Sequence, residues 1–250
     1  MNAFQGRTAV ITGGNSGIGL ATAEKLVAQG AQVVIMGRDQ KTLDAAVKKL
    51  GPKARGVRGD VAKLADLDRL VAETKAAFGR VDFVFANAGI AEFRPYTESD
   101  ESFFDKIMDV NVKGAYFTVQ KLLPLFDAKG GSIVFNTSVV NVKGWPNMSV
   151  YAPSKAALRS LVRVLAAELA GRSIRVNAIS PGPIDTPIYG RLGMPAEASK
   201  DFAAGITAQV PLKRFGTSEE VADAVLFMAG PRSSFITGSE LSVDGGIGQV

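Results

Sequence analysis

Short apolar runs alternate with longer amphipathic segments along the chain, and this alternation constrains the fold more than any other feature. The runs are rich in Val, Ile and Phe, which is typical of buried strands. Because strand and helix alternate, we expect parallel strands joined by crossover helices. The runs are TAVIT (8–12), QVVIMG (32–37), VDFVFAN (81–87), GSIVFNTS (131–138), IRVNAIS (174–180) and SELSV (239–243).

Helical periodicity fills the segments between these runs. Within 40–50, for example, Leu43, Val47 and Leu50 recur three or four residues apart. A further strand should end at Asp60. The segments with helical periodicity are 17–29, 40–50, 62–79, 102–126, 152–170 and 217–229.

This pattern predicts an α/β fold of three layers, a Rossmann-type doubly wound parallel sheet. The sequence shows no linker, repeat or low-complexity stretch, so one dinucleotide-binding and catalytic domain should cover 1–250. The least regular part, 183–215, holds several Pro and Gly residues and is too long for an ordinary loop. There we expect a mobile or partly helical lid over the substrate.

The composition excludes several kinds of chemistry. The 250 residues include no cysteine and no histidine, which removes disulfides, thiolate nucleophiles and histidine-based triads, and we predict no metal site. Proton transfer must therefore use Tyr, Lys, Asp or Glu with a shifted pKa. The net charge is +5, but basic and acidic residues are interleaved, so no nucleic-acid partner is predicted.

Membrane and export signals are missing from the sequence pattern. No apolar stretch approaches the ~18 to 20 residues that a membrane span needs. The N-terminal apolar run stops at glycines and lacks the h-region of a signal peptide. We expect a cytoplasmic protein without a membrane partner.

A glycine-rich turn joins the first strand to the first helix in TAVITGGNSGIGLATAEKL. Gly13, Gly17 and Gly19 allow a sharp turn and close approach of a ligand, and the helix N-terminus offers free N–H groups to a pyrophosphate. Their spacing differs from G-x-G-x-x-G. The position of the turn at the first strand–helix junction predicts a dinucleotide site.

Further motifs follow in order: NAG (87–89), Ser138 at the end of the fifth strand, YAPSK (151–155) and PG (181–182). With the glycine turn, they resemble the classical short-chain dehydrogenase/reductase family over nearly the whole chain. The resemblance implies hydride transfer between a nicotinamide cofactor and a ketone or secondary alcohol. It also implies a homotetramer, built through helices and the C-terminal strand.

The end of the second strand bears on the choice between NADP and NAD. An NAD enzyme usually has Asp or Glu there, whereas this chain has Gly37 followed by Arg38. A guanidinium suits a 2′-phosphate, so we predict NADP, with NAD possible. Asp39 could pair with Arg38 and weaken this prediction. Asn15 departs from the basic residue that some NADP-using relatives carry in the glycine turn.

The resemblance implies further cofactor contacts. Asp60 and Val61 would bind the adenine, although Asp60 could instead cap the next helix. Ile184 and Thr186 would bind the nicotinamide carboxamide, so that the pro-S side delivers hydride. The predicted cofactor contacts are Gly13, Asn15, Ser16, Gly17, Ile18, Gly19, Arg38, Asp60, Val61, Asn87, Ala88, Gly89, Tyr151, Lys155, Pro181, Gly182, Ile184 and Thr186.

Tyr151 and Lys155 are four residues apart and would share one face of a helix. Pro153 is tolerated in a first helical turn, so the helix should begin near Tyr151. A nearby ammonium stabilises a phenolate, so we expect Lys155 to lower the pKa of Tyr151. Tyr151 could then give a proton to a developing alkoxide or take one from an alcohol.

The resemblance implies one further role for Lys155 and adds two more residues. Lys155 would also bind the ribose hydroxyls, Ser138 would position the substrate oxygen, and Asn111 would anchor a water and a proton relay. The predicted catalytic residues are Asn111, Ser138, Tyr151 and Lys155.

The predicted substrate pocket is mostly apolar and favours a small or aryl ketone. Arg94, Lys143 and Arg191 could lie near it. Alternatives are a 3-oxoacyl-(acyl-carrier-protein) reductase, a glucose or other sugar dehydrogenase, and a dinucleotide sensor without catalysis. The pocket should be lined by Phe93, Val139, Val140, Trp145, Met148 and parts of 183–210.

Overall fold

The computed structural model describes residues 3–187 and 196–250. In this part of the chain, seven parallel strands form one sheet in the order β3-β2-β1-β4-β5-β6-β7. The strands are β1 (Thr8–Thr12), β2 (Gln32–Gly37), β3 (Ala54–Arg58), β4 (Phe83–Ala86), β5 (Gly131–Asn136), β6 (Ile174–Pro181) and β7 (Glu240–Val243).

Helices cover both faces of this sheet. Leu26, Ala46 and Val225 pack against one face, and Leu70 and Val119 belong to the core on the other. The predicted three-layer, doubly wound single domain is confirmed. The α-helices in the described residues are α1 (Gly17–Ala28), α2 (Gln40–Leu50), α3 (Leu64–Phe78), α4 (Glu101–Met108), α5 (Gly114–Leu122), α6 (Tyr151–Leu169), α7 (Ala196–Gln209) and α8 (Ser218–Ala229).

The segment predicted as one helix over 102–126 is interrupted. A π-helical turn, Asp109–Lys113, separates α4 from α5, and a short 3₁₀ turn follows α5 at Leu123–Leu125. Asn111 lies in the π turn and its side chain is completely buried. A single helical period was therefore the wrong prediction here, because local sequence does not reveal a widened turn.

The irregular stretch predicted as a lid is partly helical. Helix α7 occupies Ala196–Gln209 within it, and Val210 after this helix is buried. Arg191 lies outside the described residues. No helix in the described ranges is long and apolar enough to cross a membrane.

The strand order fixes where a ligand can bind. The chain leaves β1 toward β2 and β3 and then returns to β4 on the other side of β1. Crossover connections therefore diverge between β1 and β4, which opens a crevice at their carboxyl ends. Thr12 and Ala86 end these two strands, directly before the glycine turn and the NAG motif.

Candidate active site

One cavity of about 750 Å³ runs along the carboxyl ends of the strands. At one end it is lined by Arg38, Asp39 and Asp60, and at the other by Trp145 and Ile247. The glycine turn, the NAG motif and the Tyr151 helix face it between these ends. Each predicted cofactor contact except Gly19 is among its lining residues.

The glycine turn lies close to the cavity and leaves no room for side chains. Gly13 and Gly17 have φ values of 64° and 52°, which L side chains rarely adopt. A Cβ atom on Gly19 would lie 2.3 Å from the carbonyl oxygen of Gly13. Helix α1 begins at Gly17, so its first N–H groups lie at this turn, with Ser16 and Ile18 beside them. This cradle fits the pyrophosphate of a dinucleotide.

Thr12 joins the glycine turn to the NAG motif. Its hydroxyl accepts hydrogen bonds from the backbone N–H groups of Asn87 (3.1 Å) and Ala88 (3.0 Å). The Asn87 amide donates in return to the Thr12 carbonyl at 2.9 Å, and Asn136 Nδ2 donates to Asn87 Oδ1 at 2.9 Å. The ends of β1, β4 and β5 are thereby locked together beneath the cavity.

Arg38 is exposed at the end of the cavity formed by β2 and β3. The neighbouring Asp39 caps α2 by accepting from the backbone N–H of Thr42 at 2.8 Å, and this bond is the largest cause of its lowered pKa. The possible pairing of Asp39 with Arg38 is thus replaced by a helix cap. Asn15 donates to the Thr42 hydroxyl at 2.8 Å, and its carboxamide fills the space where a Cβ on Gly37 would lie, 2.6 Å away.

Asp60 makes a cap-like hydrogen bond and also lines the cavity. Its Oδ1 accepts from the backbone N–H of Ala62 at 3.0 Å, as a cap would, although Lys63 is the N-cap residue of α3. Its own backbone N–H donates to Asp66 Oδ2 at 2.8 Å. The buried Val61 lines the cavity beside Asp60, so the cap-like bond leaves Asp60 at the cavity wall.

Tyr151 begins α6, with Pro153 in the first turn as predicted. The Ser138 side chain hydrogen-bonds the Tyr151 phenol. Lys155 is 4% exposed, donates to the Asn136 carbonyl at 2.8 Å, and has its Nζ 5.9 Å from the Tyr151 ring centroid. The two hydroxyls and the ammonium thus lie near one another in the cavity wall.

The pKa values at this point correct one expectation. Burial raises the pKa of Tyr151 above its ordinary 10.0, and the hydrogen bond with Ser138 opposes that rise. The predicted lowering of the Tyr151 pKa by Lys155 was wrong, because desolvation of the phenolate dominates and only the Ser138 hydrogen bond opposes it. Burial also lowers the pKa of Lys155 from 10.5 to about 8. At neutral pH the phenol is therefore protonated and the amine is cationic.

Asn111 supports this point from behind. Its Oδ1 accepts from the Ile90 N–H at 2.8 Å, and its Nδ2 donates to the Ile90 carbonyl and to the Ser154 hydroxyl, each at 3.0 Å. The Ser154 hydroxyl donates to the Tyr151 carbonyl at 2.6 Å. A Cβ on Gly89 would lie 3.2 Å from Asn111 Oδ1 and 3.3 Å from Lys155 Nζ. A side chain at this position would therefore crowd both Asn111 and Lys155.

The segment after β6 closes over the glycine turn. Thr186 is the nearest neighbour of a Cβ built on Gly17, at 3.5 Å. Ile184 is buried and pairs with Gly216 in an isolated parallel bridge. A Cβ on Gly182 would lie 2.7 Å from Asp244, so glycine is required where the chain passes β7.

The Trp145 end of the cavity is apolar. In the described ranges, its lining side chains carry no charge. The Lys143 ammonium lies just outside this lining, 5.2 Å from the Trp145 ring centroid, and donates to the Ile247 carbonyl at 2.7 Å. Arg94 pairs with Asp100 at 2.9 Å. Besides the predicted Phe93, Val139, Val140, Trp145 and Met148, this end is lined by Gly205, Ile206, Gln209 and Ile247.

Comparisons with known proteins identify the family of this chain. A family model described as enoyl-(acyl carrier protein) reductase matches residues 13–248. An oxidoreductase of Sarocladium schorii, asL5, is 45% identical, with 100% of both chains covered. The chain belongs to the classical short-chain dehydrogenase/reductase family.

Two further relatives of this dehydrogenase/reductase carry more specific names. A 3-oxoacyl-[acyl-carrier-protein] reductase of Thermotoga maritima is 36% identical, with 98% of each chain covered. The solved 3-ketoacyl-(acyl-carrier-protein) reductase from Brucella melitensis, complexed with NADH, is 32% identical with a TM-score of 0.89, covering 98% of this chain and 99% of that one.

Membership establishes the general chemistry of this dehydrogenase/reductase. It is an oxidoreductase that acts on alcohols or ketones with a nicotinamide dinucleotide, NAD or NADP. The structure adds supporting roles that the motifs did not assign, namely those of Asn136 and Ser154. Their hydrogen bonds to Lys155 and Asn111 join residues 19 and 43 positions apart, a separation at which sequence spacing carries no signal.

Proposed function

We propose that this dehydrogenase/reductase is an NADP-preferring carbonyl reductase that converts a small, uncharged ketone to a secondary alcohol. The observation that carries the proposal is the apolar end of the cavity, which adjoins the hydroxyls of Ser138 and Tyr151. An uncharged substrate loses little hydration among these apolar side chains, whereas a carboxylate would lose much more.

Tyr151 is proposed as the acid, with Ser138 holding the substrate carbonyl oxygen. When bound, the nicotinamide supplies or accepts the hydride. The Tyr151 hydroxyl gives its proton to the oxygen that becomes the alkoxide, and in the reverse direction the phenolate takes it back. A raised pKa keeps the phenol protonated, which suits the reductive direction.

Lys155 and Asn111 are proposed to hold this acid in place. The Lys155 ammonium would bind the ribose hydroxyls of the nicotinamide cofactor. Asn111 fixes Ile90 and, through Ser154, the first turn of α6. The Asn111 carboxamide already makes three hydrogen bonds. A proton relay at Asn111 would therefore use the backbone that this side chain orders.

The preference for NADP rests on Arg38. Its guanidinium is exposed at the adenosine end, and the adjacent carboxylate of Asp39 already accepts from Thr42. Gly37 carries no carboxylate that would repel a 2′-phosphate or accept from a 2′-hydroxyl. These features support charge-assisted hydrogen bonds between Arg38 and the 2′-phosphate.

We also propose that 183–215 acts as a lid and that the chain forms a homotetramer. Helix α7 supports the lid, since Gly205, Ile206 and Gln209 line the apolar end. Phe104, Tyr116 and Val164 support a helical interface between copies, because they are large apolar side chains exposed by 41% to 50% on α4, α5 and α6. Light scattering on the purified protein gives the number of copies.

A 3-oxoacyl thioester is the second candidate substrate. The Thermotoga maritima relative is named for it and shares the full length of the chain. Both reactions reduce a ketone and would use the same hydroxyl pair, so the residues near the hydride do not separate them.

Absorbance at 340 nm tests the proposal. Purified protein is given NADPH or NADH with an aryl ketone, a 3-ketoester or acetoacetyl thioester, and oxidised cofactors with glucose. We expect NADPH to be consumed with the aryl ketone. Preference for the thioester would make acyl-chain reduction the function, and cofactor binding without turnover would favour a dinucleotide sensor.

A further inference from the structure

A carboxylate outside the predicted site residues lies beneath the Ser138 turn. Glu240 begins β7, and its side chain is only 11% exposed. Its Oε1 accepts from the Thr137 hydroxyl at 2.5 Å and from Asn141 Nδ2 at 2.8 Å. The two donors are about a hundred residues away in sequence, so this contact is tertiary and specific.

Thr137 and Asn141 stand on either side of Ser138. Ser138 is the N-cap of the 3₁₀ turn Val139–Asn141, and its hydroxyl accepts from the Val140 N–H at 3.4 Å. In the described part of the chain, Asn141 Oδ1 is buried without a hydrogen-bond partner. Side-chain anchoring of Asn141 therefore depends on the bond to Glu240.

The second oxygen of Glu240 faces the Tyr151 helix. Arg159 lies one helical turn after Lys155, and its Nε is 3.7 Å from Glu240 Oε2. Arg159 also donates to the Gly238 carbonyl at 2.9 Å, just before β7. One side chain thus connects β7 both to the turn that carries Ser138 and to the helix that carries Tyr151.

We propose that Glu240 is a positioning residue that fixes the Ser138 hydroxyl relative to Tyr151. This inference rests on the proposed role of Ser138 in holding the substrate oxygen. The Thr137 hydroxyl has a single proton and two acceptors within reach, Glu240 Oε1 and the Ile179 carbonyl at 2.9 Å. Glu240 therefore decides which way this hydroxyl points. Without Glu240, Thr137 would turn to Ile179 and Asn141 would lose its anchor.

Kinetics of two substitutions test the proposal. Glu240→Ala removes the acceptor, and we expect kcat to fall about tenfold or more, in keeping with the loss of a buried hydrogen-bond acceptor, while cofactor Kd stays within about twofold. Glu240→Gln retains one acceptor oxygen for both donors, so it should restore most of kcat. Equal losses in both variants would overturn the proposal, since the charge rather than the acceptor would then matter.

A double-mutant cycle separates positioning from general destabilisation. If Glu240 acts through Ser138, Glu240→Ala should change kcat less than about threefold once Ser138→Ala is present. A full tenfold loss in both backgrounds would overturn the proposal. If Ser138→Ala itself left kcat unchanged, the proposed function of Ser138 would fail instead, which is a distinguishable result.

The single tryptophan gives a readout that needs no substrate. Trp145 packs with Val139 and Val140 of the Ser138 turn. We expect Glu240→Ala to increase acrylamide quenching of its fluorescence. Asp82→Ala is the matched control, because Asp82 is similarly buried. It accepts from the Thr8 N–H at the amino ends of β1 and β4, away from the cavity. Equal quenching in the two variants would show that the turn does not depend on Glu240.

Discussion

In the part of the cavity around Tyr151, polar side chains are buried and hydrogen-bonded to elements far away in sequence. Lys155 and Asn111 are 4% and 0% exposed, and each holds the backbone of another element. At the opposite end, Arg38 is exposed, and its neighbour Asp39 is engaged with α2. The reacting groups are thus held by a network, whereas the choice of cofactor depends on a side chain that can be replaced without disturbing the fold.

The strongest test of this contrast removes one oxygen from the buried end. Tyr151→Phe deletes the proton donor but keeps the ring that packs at 6.0 Å against Phe93. We expect kcat to fall about 10²- to 10⁴-fold, the usual contribution of a general acid. Tyr116→Phe, at an exposed site on α5, is the control and should leave kcat unchanged.

Cofactor binding, measured by titration, should survive Tyr151→Phe, because the cofactor contacts at the glycine turn and at Arg38 are untouched. Turnover within tenfold of the wild-type rate would exclude Tyr151 as the acid.

Substitution at the exposed end should change selectivity rather than rate. Arg38→Asp removes the cation and adds an anion, so we expect the NADP/NAD ratio of kcat/KM to fall about 10- to 100-fold, the size of a charge-assisted hydrogen bond. The melting temperature should barely move. Lys48→Asp makes the same charge change in the last turn of α2 and should leave the ratio intact. An unaltered ratio in Arg38→Asp would remove the basis for an NADP preference.

Asn15 sharpens the same comparison. Gly37→Asp alone should improve NAD use little, because the Asn15 carboxamide lies 2.6 Å from the position of the new Cβ and is held by Thr42. The double variant Gly37→Asp, Asn15→Gly opens this space. We expect it to raise kcat/KM for NAD about tenfold over the single variant, as a new hydrogen bond to the ribose would. Equal values for the single and double variants would show that Asn15 is no obstacle.

The smallest expected effect is a dependence on pH at the buried end. The pKa of Lys155 is lowered to about 8, so its ammonium is present at pH 7 and is lost as the pH rises through 8. Cofactor Kd should then increase above pH 8, by at most about tenfold per pH unit for one proton. Lys155→Met should bind more weakly, with a flat profile between pH 7 and pH 9. A wild-type profile as flat as that of the variant would show that the Lys155 charge does not contribute to binding.

Much of the fold followed from the sequence because its signals are local. The alternating periods located the strands and helices, and the start of α6 at Tyr151 followed from Pro153. The Asp39 cap was also within local reach, since Asp39 and Thr42 have the spacing of a helix N-cap and its third residue.

The remaining features depend on which distant residues meet. The direction of the Tyr151 pKa is set by how much protein surrounds the phenol, which helical spacing to Lys155 does not reveal. The contact of Glu240 with Thr137 joins β7 to the end of β5 across 103 positions. Neither the burial of the phenol nor the contact of Glu240 with Thr137 leaves a pattern in a single sequence.

The number of residues in the wide turn Asp109–Lys113 determines the direction of the Asn111 side chain. Successive residues of an α-helix are about 100° apart, so removing one residue from this turn would rotate α5 relative to α4. In-frame loss of a single codon here would give a longer and more regular helix while turning Asn111 away from Ile90 and Ser154. A deletion allele at this point should therefore inactivate the enzyme despite conserving every motif residue.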